Sequence, residues 1–190
     1  MVLFDATALS LLLHPGAKPP RDAKGNPVER APEHVEHLVR TLEEQKVKII
    51  IPTSALSELL VVAGPEGAKY LAEINGRSCF KVSDFDQRAA VEAAIQIRNA
   101  LKQGDKRQGV SATWAKVKFD RQIVAIAKVE GVQKIYSDDE DVEKYGKALG
   151  IDVGRLESLA VPPPRQLKLE VVGPGEEQPT LGEDGPDSAS

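Results

Sequence analysis

Cysteine is almost missing from this chain: Cys79 is the only one among 190 residues. No internal disulfide can form, and such thiol usage fits a reducing compartment, so a cytoplasmic setting is expected. Histidine is also scarce. His14, His34 and His37 are the three present, and with one cysteine they leave too few ligands for a structural zinc cluster. His34 and His37 stand three apart on a predicted helix, but no third ligand lies nearby and both read as solvated. Long apolar runs are lacking as well. None nears the roughly 20 residues of a membrane-spanning helix. The apolar stretch 8–13 follows Asp5 with no basic region before it, unlike a secretory signal. There is no internal repeat.

Lysine and arginine are absent from residues 171–190, which carry Glu176, Glu177, Glu183, Asp184 and Asp187. That segment reads as a disordered acidic tail, joined by a linker at 162–170. It holds a charge of −5 against −4 for the whole chain, so residues 1–170 carry +1. A nearly neutral body that also gathers acids in one place must present its positive charge elsewhere. Such an arrangement is compatible with an anionic polymer as substrate.

What is present is alternation. Short β-branched runs at 2–5, 47–51, 78–82 and 132–136 read as strands, and 151–161 supplies a candidate edge strand. Helices are predicted at 6–13, 32–46, 55–63, 65–75, 84–102, 113–130 and 140–149. Thr53 or Ser54 is the expected cap of the third. The helix at 84–102 is expected to turn Ala90, Val91, Ala94, Ile95 and Ile97 inward. Residues 14–31 hold four prolines and read as an inserted loop. Strands alternating with helices imply a three-layer α/β/α domain over residues 1–161, with a central parallel sheet of four to five strands.

Four carboxylates recur at similar places in that pattern. Asp5 ends the first strand, Glu58 lies just inside the helix after the second, Asp120 lies near the start of a buried helical run, and Asp139 follows the fourth strand. The carboxyl edge of a parallel sheet is where open α/β folds bind ligands. Acids delivered there from four segments repel one another unless a cation lies between them. Taken singly, Asp5 and Asp139 also read as turn residues, Asp120 as a first-turn acid and Glu58 as a solvated helix residue. Together they read as a hard-metal site for Mg²⁺ or Mn²⁺, and so as phosphate chemistry.

The residues around these acids resemble a known family. Val2-Leu-Phe-Asp5-Ala-Thr7 is similar to the opening of a PIN domain, and Ile51-Pro-Thr-Ser-Ala-Leu-Ser-Glu58 to its second segment. Phe119-Asp120 followed by an alanine-rich helix resembles the third, and Ile135-Tyr-Ser137-Asp138-Asp139-Glu-Asp141 the last. Val142 stands where an aromatic residue is usual. The fourth acid is open among Asp138, Asp139 and Asp141, with Asp139 preferred for its spacing from Ser137. The resemblance implies an endoribonuclease, of which VapC-like toxins are one kind. Asp5, Glu58, Asp120 and Asp139 would hold one or two divalent ions, with Asp141 reaching them through water. Thr7 and Ser137 would orient carboxylates by hydrogen bonds. RNA as substrate, an antitoxin protein as partner and a homodimer are further implications.

Basic residues run from Arg98 to Arg121. Lys106, Arg107, Lys116, Lys118 and Arg121 are candidates for contacts to RNA phosphates, against the plainer reading of a solvated helix pair. Trp114 in the same stretch is expected to pack rather than to stack on a base. Two competing functions are weighed. One is a catalytically inactive RNA-binding or scaffold module on the same fold. The other is a phosphatase with Asp5 as nucleophile, which wants an acid two residues on, where Thr7 stands.

Overall fold

The computed structural model describes residues 1–22, 24–102, 104 and 113–162. The acidic tail, the linker beyond Pro162, and Lys106 and Arg107 lie outside them.

Five strands form one wholly parallel sheet: β1 (Val2–Phe4), β2 (Ile49–Pro52), β3 (Phe80–Ser83), β4 (Lys134–Tyr136) and β5 (Asp152–Gly154). Their spatial order is β3-β2-β1-β4-β5. Seven α-helices among the described residues connect them. These are α1 (Ala6–Leu13), α2 (Ala31–Glu44), α3 (Thr53–Ala63), α4 (Gly67–Gly76), α5 (Gln87–Lys102), α6 (Trp114–Val129) and α7 (Glu140–Ala148). No helix among them is long and apolar enough to cross a membrane.

Side chains alternate across a strand, so each central strand feeds two cores. Val2 and Phe4 of β1 and Ile49 and Ile51 of β2 pack with Leu9, Val35, Val39 and Leu59 on one face. Leu3, Ile50 and Ile135 pack with Val117, Val124, Val142 and Tyr145 on the other. Near-continuous apolar strands are what a sheet covered on both faces requires. Helices α1 to α4 contribute to the first core and α5 to α7 to the second. The three layers of the sequence reading are therefore present, with the larger of its two strand counts.

Several local expectations differ. Helix α3 begins at Thr53 itself, after Pro52, and has no side-chain cap. Helix α5 buries Ala89, Ala93, Gln96 and Ala100 instead of the predicted face, and leaves Val91 54% and Ile95 46% exposed. Two apolar stripes run along this helix at the same period. The alanine stripe is turned inward, where small side chains let one helix lie close to the sheet and its neighbour. Residues 21 and 27 pair as an antiparallel bridge, and Asp22 Oδ1 accepts hydrogen bonds from the amides of Lys24 and Asn26. His34 is buried, not solvated.

Leu59, fully buried, ties α3 into the first core and so holds the neighbouring Glu58 at the helix surface. Leu59→Ala should lower the unfolding free energy by about 2–5 kcal/mol, measured by urea denaturation.

Candidate metal centre

The carboxyl edge of β1 and β4 is built first. Beyond β1 the chain proceeds toward β2 on one side, while β4 lies on the other. The crevice between β1 and β4 is thus the point where the strand order reverses, the usual ligand position in such sheets. Strand register puts Phe4 beside Tyr136, so the next residues, Asp5 and Ser137, meet across the crevice. Ser137 Oγ donates to Asp5 Oδ2 at 2.5 Å, and the Ala8 amide donates to Asp5 Oδ1 at 2.8 Å. Asp5 thereby caps α1 while facing the crevice. Ser137 Oγ also accepts from the Asp139 amide at 3.1 Å. Of the two hydroxyls expected to orient carboxylates, Ser137 does so. Thr7 is exposed, and no hydrogen bond joins it to a described acid; it lines a groove that Glu58 also lines.

Asp139 caps α7 through Oδ1, which accepts from the Asp141 amide at 2.8 Å. Its Oδ2 turns outward, toward Asp120 on α6 and Asp141 in the first turn of α7. One carboxylate oxygen from each of the three lies within 4.8 Å of the others. In their midst stands an ammonium. Lys116 Nζ is 2.7 Å from Asp139 Oδ2, and 2.9 Å from both Asp120 Oδ2 and Asp141 Oδ2. Lys116 was expected on an RNA-contacting rim; among the described residues it is instead the counter-ion of the acids. The signal was available in the sequence, since Lys116 precedes Asp120 by one helical turn.

Of the three candidates for the fourth acid, Asp139 and Asp141 share the cluster with Asp120, and Asp138 does not. Asp138 points away: its Oδ1 accepts from the Leu156 amide at 2.8 Å, and its carbonyl oxygen accepts from Arg155. Asp139 and Asp141 face the cation. Glu58 lies farther out, close enough for Asp139 to raise its pKa after burial has done so first. With Thr7, Ser10, His14, Lys18 and Val62 it lines a groove of about 380 Å³. Of the expected rim, Lys118 is exposed, above the Trp114 ring. Arg121 corrects the reading. It is 1% exposed, with its guanidinium 4.4 Å from the Tyr145 ring, so it offers no surface cation. Trp114 packs against the second core.

Electrostatics follow from this crowding. Burial pushes the Asp5 carboxyl up to about 7, against the lowering by Ser137 and Ala8. Burial raises Asp120 to about 6, with Lys116 opposing. Asp139 is held below the ordinary carboxylate range, because its bonds from Lys116 and the α7 amides outweigh its burial. The donor set, three carboxylates around one positive centre, fits Mg²⁺ or Mn²⁺, which take oxygen ligands. The Lys116 ammonium occupies the centre of that donor set.

No protein-family model matches the sequence, and no curated protein matches it. Solved structures do. FitAB bound to the IR36 DNA fragment matches with a TM-score of 0.53 at 18% identity, over 85% of this chain and 99% of that one. DNA-bound VapBC from Salmonella typhimurium matches with 0.52 at 17%, over 82% and 97%. VapBC2 from Rickettsia felis, bound to a promoter DNA fragment, matches with 0.52 at 13%, over 82% and 98%. At these identities the likeness is one of fold, and the fold is that of the PIN domain.

Two measurements test the centre. Asp5 and Asp120 bind protons more tightly when folded than at their ordinary value of 3.8. Between about pH 4 and pH 7 the folded chain therefore holds more protons than the unfolded one, and its stability falls as pH rises. Metal-free protein scanned from pH 5 to 9 should show a Tm contribution from these groups that declines through pH 7 and levels above about pH 8; a steady rise would contradict the assignment. Ser137→Ala, which leaves Asp5 Oδ2 without its donor, should cost about 1–3 kcal/mol by chemical denaturation.

Proposed function

We propose that this chain, which has the PIN fold, is a divalent-metal-dependent endoribonuclease. The observation that carries the reading is the convergence of Asp120, Asp139 and Asp141 on one cation position at the crevice between β1 and β4. Asp120, Asp139 and Asp141 would hold Mg²⁺ or Mn²⁺, with Asp5 behind them and Glu58 at the groove. A bound ion of this kind lowers the pKa of a coordinated water and neutralises charge on a phosphate. The chain's own residues do the rest. Ser137 and the α1 amide hold Asp5 in one orientation. The α7 amides hold Asp139 with its free oxygen toward the cation. Glu58 and Lys18 line a groove leading away from the acids, and Lys18 and Lys118 supply positive charge for RNA phosphates. Lys106 and Arg107, outside the described residues, are proposed as RNA contacts from the sequence alone.

The matched structures are toxin–antitoxin complexes, VapBC and FitAB. By that likeness the proposal extends to a cytoplasmic toxin, an antitoxin partner covering the acids, and a homodimer. One observation favours the alternative of an inactive RNA-binding module: the cation position among the acids is already occupied by the Lys116 ammonium.

Purified protein is expected to cut single-stranded RNA with Mg²⁺ or Mn²⁺ and to stop in chelator. Asp139→Asn should lower kcat by about a hundredfold or more. Full metal-dependent cutting by Asp120→Asn and Asp139→Asn would refute the site. Binding of RNA without cleavage under either metal would favour the inactive module.

A further inference from the structure

Lys116 raises a question that the metal-site reading leaves open. An ammonium has three N–H donors, and Nζ of Lys116 meets three carboxylate oxygens at 2.7 to 2.9 Å. All of its hydrogen-bonding capacity is spent on Asp120, Asp139 and Asp141. A lysine so held has no donor left for an RNA phosphate. The three oxygens lie within 4.8 Å of one another, which leaves room for a single cation. Mg²⁺ binds oxygen at about 2.0–2.1 Å. An ion drawing on these oxygens would stand almost where Nζ stands, so the two cations exclude each other.

The position is built by the helix. Lys116 lies in the first turn of α6, one turn before Asp120, while its ammonium also reaches Asp139 and Asp141 of α7. Its side chain is 42% exposed, so the flexible stem can swing into solvent without opening a core. Leaving is therefore sterically open, and staying is favoured only by charge.

We infer that Lys116 is an internal counter-ion that offsets part of the negative charge of the metal-free centre, and that a divalent cation binds by displacing it. The inference rests on the metal-site reading and adds an exchange to it. Each metal-binding event releases one lysine from the acids. The freed ammonium then becomes a surface cation at the mouth of the crevice, with all three donors available to a phosphate. Lys116 is thus a positioning residue in the metal-free chain and a candidate RNA contact only in the loaded one. The same contact keeps the acids from repelling one another when no metal is present.

Calorimetric titration of Mn²⁺ into the metal-free full chain tests this. Lys116→Met removes the competitor and leaves the three acids unneutralised, so it should tighten Mn²⁺ binding by about ten- to a hundredfold. Lys116→Arg, which keeps the charge, should stay within a few-fold of the wild type. Without metal, Lys116→Met should melt below the wild type; with saturating Mn²⁺ the two should melt together. Equal or weaker Mn²⁺ binding by a folded Lys116→Met overturns the exchange. If Asp139→Asn abolishes binding in that same case, the metal site stands and only the exchange falls. If neither the wild type nor Lys116→Met binds Mn²⁺, both readings fall. A measurement on the wild type needs no variant: reductive methylation of Lys116, mapped by mass spectrometry, should be severalfold faster with Mn²⁺ than without. An unchanged rate also overturns the inference.

Discussion

Carboxylates gathered at one edge of a sheet repel one another, and much of this structure can be understood as the means of holding them together. Asp5 leans on a hydroxyl and a helix amide, and Asp139 on the amides that open α7. Asp120 and Asp141 depend on the ammonium they share with Asp139. Two devices recur, helix amides at Asp5 and Asp139 and the shared ammonium at Asp120, Asp139 and Asp141, and both favour the ionised form. Where the device is weak against burial, as at Asp5 and Asp120, the proton is held more tightly instead.

Those devices are available only because the fold delivers the right backbone to the crevice. The register of β1 against β4 sets Asp5 opposite Ser137. Capping does double duty, since Asp5 and Asp139 both begin helices and both face the centre. A capping carboxylate has one oxygen committed to amides, and its orientation is fixed by the helix it starts. Backbone amides thus fix one oxygen of each, while the side chains of Ser137 and Lys116 hold the other. Behind it, two cores anchor α3, α6 and α7 by apolar contacts that no titration touches.

Much of this was legible from residue order. Apolar runs too short for helices, separated by longer amphipathic segments, left a parallel sheet as the economical arrangement. The four acid-bearing segments were recognisable by their surroundings, and two of the four acids, Asp120 and Asp139, meet one cation together with Asp141. Failures came where sequence offered two equal choices. Helix α5 carries an alanine stripe and a valine–isoleucine stripe at one period, and only its neighbours decide which is buried. Asp138 and Asp139 are adjacent and identical in chemistry; the amide of Leu156 claims the first. Arg121 looked like one more surface cation, but Tyr145 and the second core enclose it. Thr7 matched the pattern of an orienting hydroxyl, yet it makes no hydrogen bond to a described acid and lies exposed in the groove of Glu58.

The sequence by itself determined the layers, the strand positions and the segments that bring acids to the sheet edge. These follow from local periodicity and from burial on both faces, which act along the chain. Only the tertiary structure decided which carboxylate oxygens converge and that Lys116, not a surface contact, is the charge between them. Convergence depends on strand register and helix packing across more than a hundred residues, and no local pattern records it. The same lysine one turn before an aspartate is an ordinary helix pair until a second helix brings Asp139 and Asp141 to it.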